Sequence, residues 1–340
     1  MISTLVSACL MLPPVSASKA PSRCQGDLPT LGKAKGFERS RTVAWTVSQG
    51  APNHRARDVV TVSGAPAWAI GKFAYGVADK DLKEEMVTVW WRGSDCRWQS
   101  IFTAKTSRED DHEAVDGVND DGGRIFAPLP ALPVGRHRLL FDVHGDRSRA
   151  EATITVVAPG TEAVLFDIDG TLTTDDAQIL KQLEAKTRGE RYTPLMWDGA
   201  PAVAERWAER GYLVVYVSAR PDVVATETRE WLVQKGFPPG PVLLTDRLRQ
   251  AIPGERVHKY KSEAVASLLE RGKLSLVAAY GNALTDIAVY AEAGIPKEKT
   301  FIVGPHAGKD GTQAISYPTH LPSLASLPRA TRPAPPAAGW

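Results

Sequence analysis

Between residues 41 and 157 the apolar positions come in short runs, at 42–47, 59–62, 68–75, 86–91, 99–104, 138–143 and 152–157. They are rich in Val, Thr and aromatics, several alternate with polar residues, and Gly, Asp and Pro fall between them. A period of two over so few residues predicts strands. Seven such runs without a helical segment predict an antiparallel β-sandwich of immunoglobulin-like size. Beyond Pro159 and Gly160 the period changes. Apolar runs at 163–166, 212–217, 241–244, 274–279 and 300–303 alternate with stretches of helical spacing, three of which stop at Gly236, Gly272 and Gly294. The first of these helices places Ile179, Leu180 and Leu183 on its inner face, and the second Val203, Ala204, Trp207 and Ala208. Strands alternating with helices predict a parallel sheet covered on both faces, an α/β domain behind the all-β one. The boundaries expected are a leader at 1–17, a linker at 18–38, the sandwich at 39–158, the α/β domain at 159–316 and a disordered Pro- and Ala-rich tail at 317–340.

Composition adds exclusions. The chain has 340 residues, 43% hydrophobic and 24% charged, which excludes disorder throughout and suits two domains. Lys and Arg number 41 against 39 Asp and Glu, so charge alone gives no reason to propose a nucleic-acid partner. No run after the first residues approaches the roughly 18 apolar residues of a membrane span. The apolar stretch 2–15, followed by Val15, Ser16 and Ala17, resembles a secretory leader without its positive start. It predicts a periplasmic or secreted protein beginning near Ser18, with a cytoplasmic one as the alternative. Cleavage leaves Cys24 and Cys96, free to bridge or to stay thiols. Trp45, Trp68, Trp90, Trp91 and Trp98 are expected to fill the sandwich core and its edges. The acidic stretch 109–123 reads as a solvated hairpin loop rather than a calcium site.

The chemistry is concentrated at residues 164–173, VLFDIDGTLT. A buried strand ends in Asp167 and Asp169, two carboxylates on one side of the chain, and Gly170 and Thr171 allow a tight turn after them. Open α/β sheets place ligands at such strand ends. A carboxylate pair there can divide nucleophilic attack from proton transfer. Asp176 is expected to cap the next helix, and the histidines at 258, 306 and 320 to sit on the surface.

This string resembles the first motif, D-x-D-G-T, of the haloacid dehalogenase superfamily of phosphohydrolases. Ser218, ending the strand 214–218, looks like the second motif. Lys261, near a helix start, looks like the third-motif lysine, with Lys259 its rival. The run 281–286, GNALTD, resembles the acidic fourth motif. The resemblance narrows to the lipins, magnesium-dependent phosphatidate phosphatases, through residues 167–173 with Asp175 and Asp176, Ser218-Ala219-Arg220, Tyr260-Lys261, Tyr280-Gly281-Asn282 with Asp286 and Tyr290, and Gly294-Ile295-Pro296. The same module occurs in phosphatidylinositol transfer proteins, where some copies have lost the catalytic aspartates; this chain keeps both.

The resemblance implies a capless Rossmannoid domain and a Mg²⁺-dependent phosphomonoesterase. In it Asp167 attacks, Asp169 serves as acid and base, and Ser218 and Lys261 hold the phosphoryl group. Asp167, Asp169, Asp286 and Asn282 hold the metal, Gly170 and Thr171 contact substrate, and Arg220 either contacts substrate or pairs with a carboxylate. About 48 residues separate Asp169 from Ser218 and about 42 separate Ser218 from Lys261, too few for a cap in either place. An open site implies a lipid phosphate such as phosphatidate, met at a membrane surface by peripheral contact. Two alternatives stay open: a module that binds phosphatidate or phosphoinositide without turning it over, and a phosphatase of small soluble esters.

Overall fold

The computed structural model describes residues 28–38, 40–93, 95–246 and 254–336. Its N-terminal half holds helix α1 (Ser40–Val47) and strands β1 (Arg55–Ala56), β2 (Val59–Val62), β3 (Trp68–Lys72), β4 (Ala74–Tyr75), β5 (Lys80–Asp81), β6 (Met86–Arg92), β7 (Trp98–Lys105), β8 (Arg124–Pro128), β9 (Gly135–Val143) and β10 (Arg149–Val157). Five of these form a sheet in the order β2-β10-β9-β6-β7, and three form a second in the order β1-β3-β8. Pairing is antiparallel except between β2 and β10. Alternation decides which residues meet. In β10, Arg149 and Glu151 face solvent while Ala150, Ala152 and Ile154 join Val87, Val89, Leu139 and Phe141 against Ala69, Ile125 and Ala127 of the other sheet. Full burial of a side chain as large as Leu or Phe is worth about 1.5–3 kcal/mol, so these layers hold the sandwich together.

Three expectations fail here for local reasons. The run 42–47 is helical, with Val43 and Thr46 buried three residues apart, because six residues are too few for period to separate strand from helix. Strand β8 was overlooked, since only Ile125, Phe126 and Ala127 are apolar within it. The tryptophans take the edges of the sandwich, Trp68 and Trp91 packing against its buried clusters, but not the centre of its core. Trp45 is 56% exposed beneath the Lys80 ammonium, and the other four are half-buried at the rims, while Phe73, Tyr75 and Phe141 occupy the interior. In the acidic loop Asp120 is buried and accepts from Ser107 Oγ and from the amides of Gly122 and His112. Cys96 is disulfide-bonded, and Cys9 and Cys24, with the leader, lie outside the described residues.

The second half comprises β11 (Glu162–Phe166), α2 (Ala177–Thr187), α3 (Ala200–Glu209), β12 (Leu213–Pro221), α4 (Ala225–Gln234), β13 (Val242–Thr245), α5 (Glu255–Glu270), β14 (Ser275–Gly281), α6 (Leu284–Glu292), β15 (Thr300–Ile302), β16 (Gln313–Ala314) and α7 (Tyr317–His320). Its six strands are all parallel, in the order β13-β12-β11-β14-β15-β16. Both faces are covered, which is why the strands read as unbroken apolar runs. Val164, Phe166, Tyr216 and Tyr280 pack on Trp207 and Trp231 on one face. On the other, Ala163, Leu165 and Val215 pack on Val265, Leu268 and Val289. Phe166 and Tyr280 stack with centroids 4.3 Å apart. The chain is thus a Rossmannoid α/β domain behind an all-β sandwich.

Residues 317–336, expected to be disordered, pack against the sheet domain. Tyr317 is buried and donates to the Thr171 carbonyl at 3.0 Å; His320, expected at the surface, is buried with Nε2 2.8 Å from the Tyr280 hydroxyl. Glu162 and Arg332 share a main-chain hydrogen bond, and Ala330 and Ala334 donate to the carbonyls of Arg210 and Gly211. Proline removes donors, and the few that remain here find acceptors at the sheet edge.

The two domains are bonded together. Val60 and Val157 of the sandwich belong to the same apolar cluster as Leu268 and Leu274. The Asp58 carboxylate, buried, accepts from the Thr153 amide of β10, the Val242 amide of β13 and Arg229 of α4. Arg55 donates Nε to Asp222 at 2.8 Å and its other two nitrogens to Asp79.

One pH effect follows from the sandwich. His54 is buried between Phe73 and Tyr75, and burial lowers its pKa to about 4. Its Nδ1 accepts the Ala74 amide, so Nε2 carries the proton toward Ser148. His320, also lowered to about 4 by burial, acts in the same sense. Between the unfolded value near 6.5 and about 4 the unfolded chain binds more protons, so stability falls as pH is lowered through that window. His54 alone is expected to account for roughly 2–3 kcal/mol of this loss. Denaturant unfolding at pH 7.5, 6 and 5 should show it, and His54→Gln should flatten the slope. An unchanged pH profile in the variant would refute the assignment.

Candidate functional site

The site forms where β11, β12 and β14 end side by side, with the first residues of α6 and the second turn of α5 closing in. Asp167 follows β11 directly, and its amide donates to the Tyr280 carbonyl of β14 at 3.0 Å. Gly170 has φ +68°, and a Cβ there would lie 2.0 Å from Asn282 Nδ2, so only glycine permits this turn. Thr171 Oγ1 lies 2.9 Å from Asp167 Oδ2 and 3.1 Å from Asn282 Oδ1. Asp286, in the first turn of α6, takes the amides of Asn282 and Ala283 on one oxygen. Lys261 reaches in from α5, and its ammonium sits between Asp167 at 2.7 Å and Asp286 at 2.6 Å. Lys259, its rival, points to Glu263 at the surface.

Arg220 is buried in β12 and grips Asp169, with Nε 3.0 Å from both carboxylate oxygens. Ser218 Oγ donates to Asp169 Oδ2 at 2.8 Å. Arg220 also donates to Gln182 of α2 at 2.9 Å. This contact turns α2 away from the face its apolar spacing predicts. The buried face of α2 carries Gln178, Gln182 and Ala185, and Leu180 is 65% exposed, because that face must accept hydrogen bonds from the site. Asp175 rather than Asp176 caps α2, accepting the Ala177 amide, while Asp176 turns to Asn282 Nδ2.

All nine residues singled out in the sequence meet here. Burial raises Asp167 to about 8, opposed by the Lys261 charge and aided by Asp286 and Asp169. Lys261 stays charged, since the attraction of Asp167 and Asp286 outweighs its own burial. A cavity of about 270 Å³ opens above these groups, with Ile179, Val257, Ala283, Leu284 and His306 also in its lining. Beside it Trp197 donates its indole N–H to the Gly170 carbonyl. His306, expected at the surface, is half-buried in this lining, and nothing in the spacing of Trp197 marks it in the sequence.

Residues 164–304 match the family model described as PITM 1-3, LNS2 domain, and residues 52–156 match PITM 1-3, beta-sandwich domain. The chain carries a lipin-like LNS2 domain behind a β-sandwich domain. Human membrane-associated phosphatidylinositol transfer protein 1 is 34% identical over 301 residues, 85% of this chain and 22% of that protein. Mouse membrane-associated phosphatidylinositol transfer protein 3 is 30% identical over 285 residues, 80% of this chain and 26% of that one. Drosophila melanogaster protein retinal degeneration B is 30% identical over 284 residues, 82% and 20% respectively. The chain therefore spans about a fifth to a quarter of the length of these relatives.

These findings correct the enzymatic reading. The human and mouse relatives are named for lipid transfer, not for phosphatase activity. Among the described residues no group of three or more His, Cys, Asp and Glu side chains is arranged to hold a metal ion, so a Mg²⁺ cofactor at Asp167, Asp169, Asp286 and Asn282 is not supported. The LNS2 geometry supplies the reason. Each of the six oxygens of Asp167, Asp169 and Asp286 already lies against a protein donor, and an ammonium stands where two carboxylates converge. Burial also pushes the Asp167 carboxyl upward and so disfavours the ionised form that a nucleophile needs. The periplasmic or secreted location is corrected as well, since these eukaryotic relatives are membrane-associated. No helix among the described residues is long and apolar enough to cross a membrane.

Proposed function

We propose that the LNS2 domain is a non-catalytic module that binds a phosphate-bearing lipid headgroup, of the phosphatidate or phosphoinositide class, by peripheral contact with a membrane. The observation that carries this reading is the commitment of all six carboxylate oxygens of Asp167, Asp169 and Asp286 to protein donors, beneath a cavity with apolar walls. Such a site keeps a lysine, a serine hydroxyl and an asparagine amide near a phosphoryl position while spending its acids on holding them in place. Ile179, Val257 and Leu284 give the opening an apolar border. Leu180, Leu195, Trp197 and Leu284 are exposed, and all four lie on or beside segments that build the site. Exposed Leu and Trp around a headgroup pocket suit insertion at the lipid–water boundary.

Flotation with phosphatidylcholine vesicles, with and without phosphatidate, tests the reading. The chain is expected to float with phosphatidate vesicles and to release no phosphate from them, with or without Mg²⁺. Leu284→Asp should weaken flotation several-fold and leave the unfolding curve unchanged. Equal binding to both vesicle types, or phosphate release above a protein-free control, would overturn it.

A further inference from the structure

The cleft between the domains carries chemistry that the headgroup pocket does not use. A cavity of about 740 Å³ lies where β9 and β10 of the sandwich face α4 of the sheet domain. That volume falls within the range of small-molecule sites. Its lining brings together Arg55, Arg136, Arg138, Arg149, Arg191 and Arg229, beside the acids Asp58, Glu151 and Glu230. Three of the arginines are already satisfied: Arg55 pairs with Asp79 and Asp222, Arg138 with Glu151 at 2.5 Å and Arg229 with Asp58 at 3.0 Å. The other three make no ion pair among the described residues.

Arg136 is the telling member. It is only 9% exposed, its Nη1 donates to the Pro239 carbonyl at 2.9 Å, and its Nε has no hydrogen-bond partner. No carboxylate is within ion-pair distance of it, Asp58 attracting it only from farther off, and a buried guanidinium so incompletely paired is costly unless an anion completes it. Arg149 adds a second exposed cation from β10, and Arg191 a third from the segment after α2. Sandwich and sheet domain thus each contribute positive charge to one open cleft, and a planar guanidinium takes a phosphate group with two parallel hydrogen bonds.

We propose that this interdomain cleft is a second binding site, for a small polyanion carrying two or more phosphate groups. The ligand bridges the domains, with one phosphate near Arg136 and Arg149 of the sandwich and another toward Arg191. It stands apart from the headgroup pocket and does not depend on that pocket's reading.

Calorimetric titration of the full chain with inositol 1,4,5-trisphosphate, and flotation with vesicles containing phosphatidylinositol 4,5-bisphosphate, test it together. Saturable binding of the soluble trisphosphate, with a rise in melting temperature, is expected. The variant Arg149→Gln/Arg191→Gln, altered at two exposed positions, should fold normally and bind about tenfold more weakly or worse. Binding seen only on vesicles, and weakened by the same variant, supports the site with a lipid headgroup as its source. No saturable binding in either arm overturns the proposal, as does binding that the double variant leaves unchanged.

Discussion

Replacing Lys261 by Met is expected to destabilise the protein by about 3–5 kcal/mol at pH 7, the usual cost of removing one partner from a buried ion cluster. The ammonium bridges Asp167 and Asp286, and all three side chains are buried. Without it Asp286 keeps its two amide donors, whereas Asp167 keeps only the Thr171 hydroxyl. The pH dependence has a definite sign. Asp167 already has a folded pKa far above its unfolded value, and loss of the lysine raises it further. Both proteins hold Asp167 protonated below about pH 8 and differ in its ionisation only above that, so the deficit of the variant should stay level from pH 4 to 7 and grow above pH 8. Asp167→Asn placed on Lys261→Met should recover the part of the loss that appears above pH 8, where it removes the stranded charge. Urea unfolding of the two variants at pH 6 and 9 checks this. A loss below about 1 kcal/mol would mean that water reaches the cluster.

Asp58→Ala is expected to cost about 3–4 kcal/mol, because the carboxylate serves two buried main-chain amides and one arginine across the domain boundary. The Thr153 amide lies 2.7 Å from it, the Val242 amide 2.8 Å and Arg229 3.0 Å. Each buried donor left without an acceptor costs about 1–3 kcal/mol. Asp58→Asn keeps one carbonyl acceptor and should cost less. Since the amides belong to β10 of the sandwich and β13 of the sheet domain, the loss should also separate their unfolding. Denaturation followed by two probes, with limited proteolysis between the transitions, would reveal it. A single unshifted transition in Asp58→Ala would show that the apolar contacts of Val60 and Val157 bind the domains unaided.

The strands of the sheet domain and the residues of the site were legible in the sequence because both are local signals. An apolar run buried on both faces announces β11, β12 and β14, and a hydrogen-bonding residue where each strand ends marks the place where ligands sit. Asp167, Asp169, Ser218, Lys261 and Asp286 could be gathered before any distance was known. What those carboxylates do once gathered could not. Lys261 lies 94 residues from Asp167, and whether its ammonium stands between two acids is fixed by how α5 and α6 pack on the sheet. The polar inner face of α2 depends in the same way on Arg220, 38 residues beyond Gln182. The order of residues 317–336 depends on acceptors as far away as the Thr171 carbonyl and the Glu162 carboxylate. Sequence by itself determined the elements, their alternation and the cast of the site, since backbone preference and burial act over a few residues. Tertiary structure alone decided which charge neutralises which, because a buried ion takes its state from whatever group the fold brings within about 3 Å, however distant along the chain.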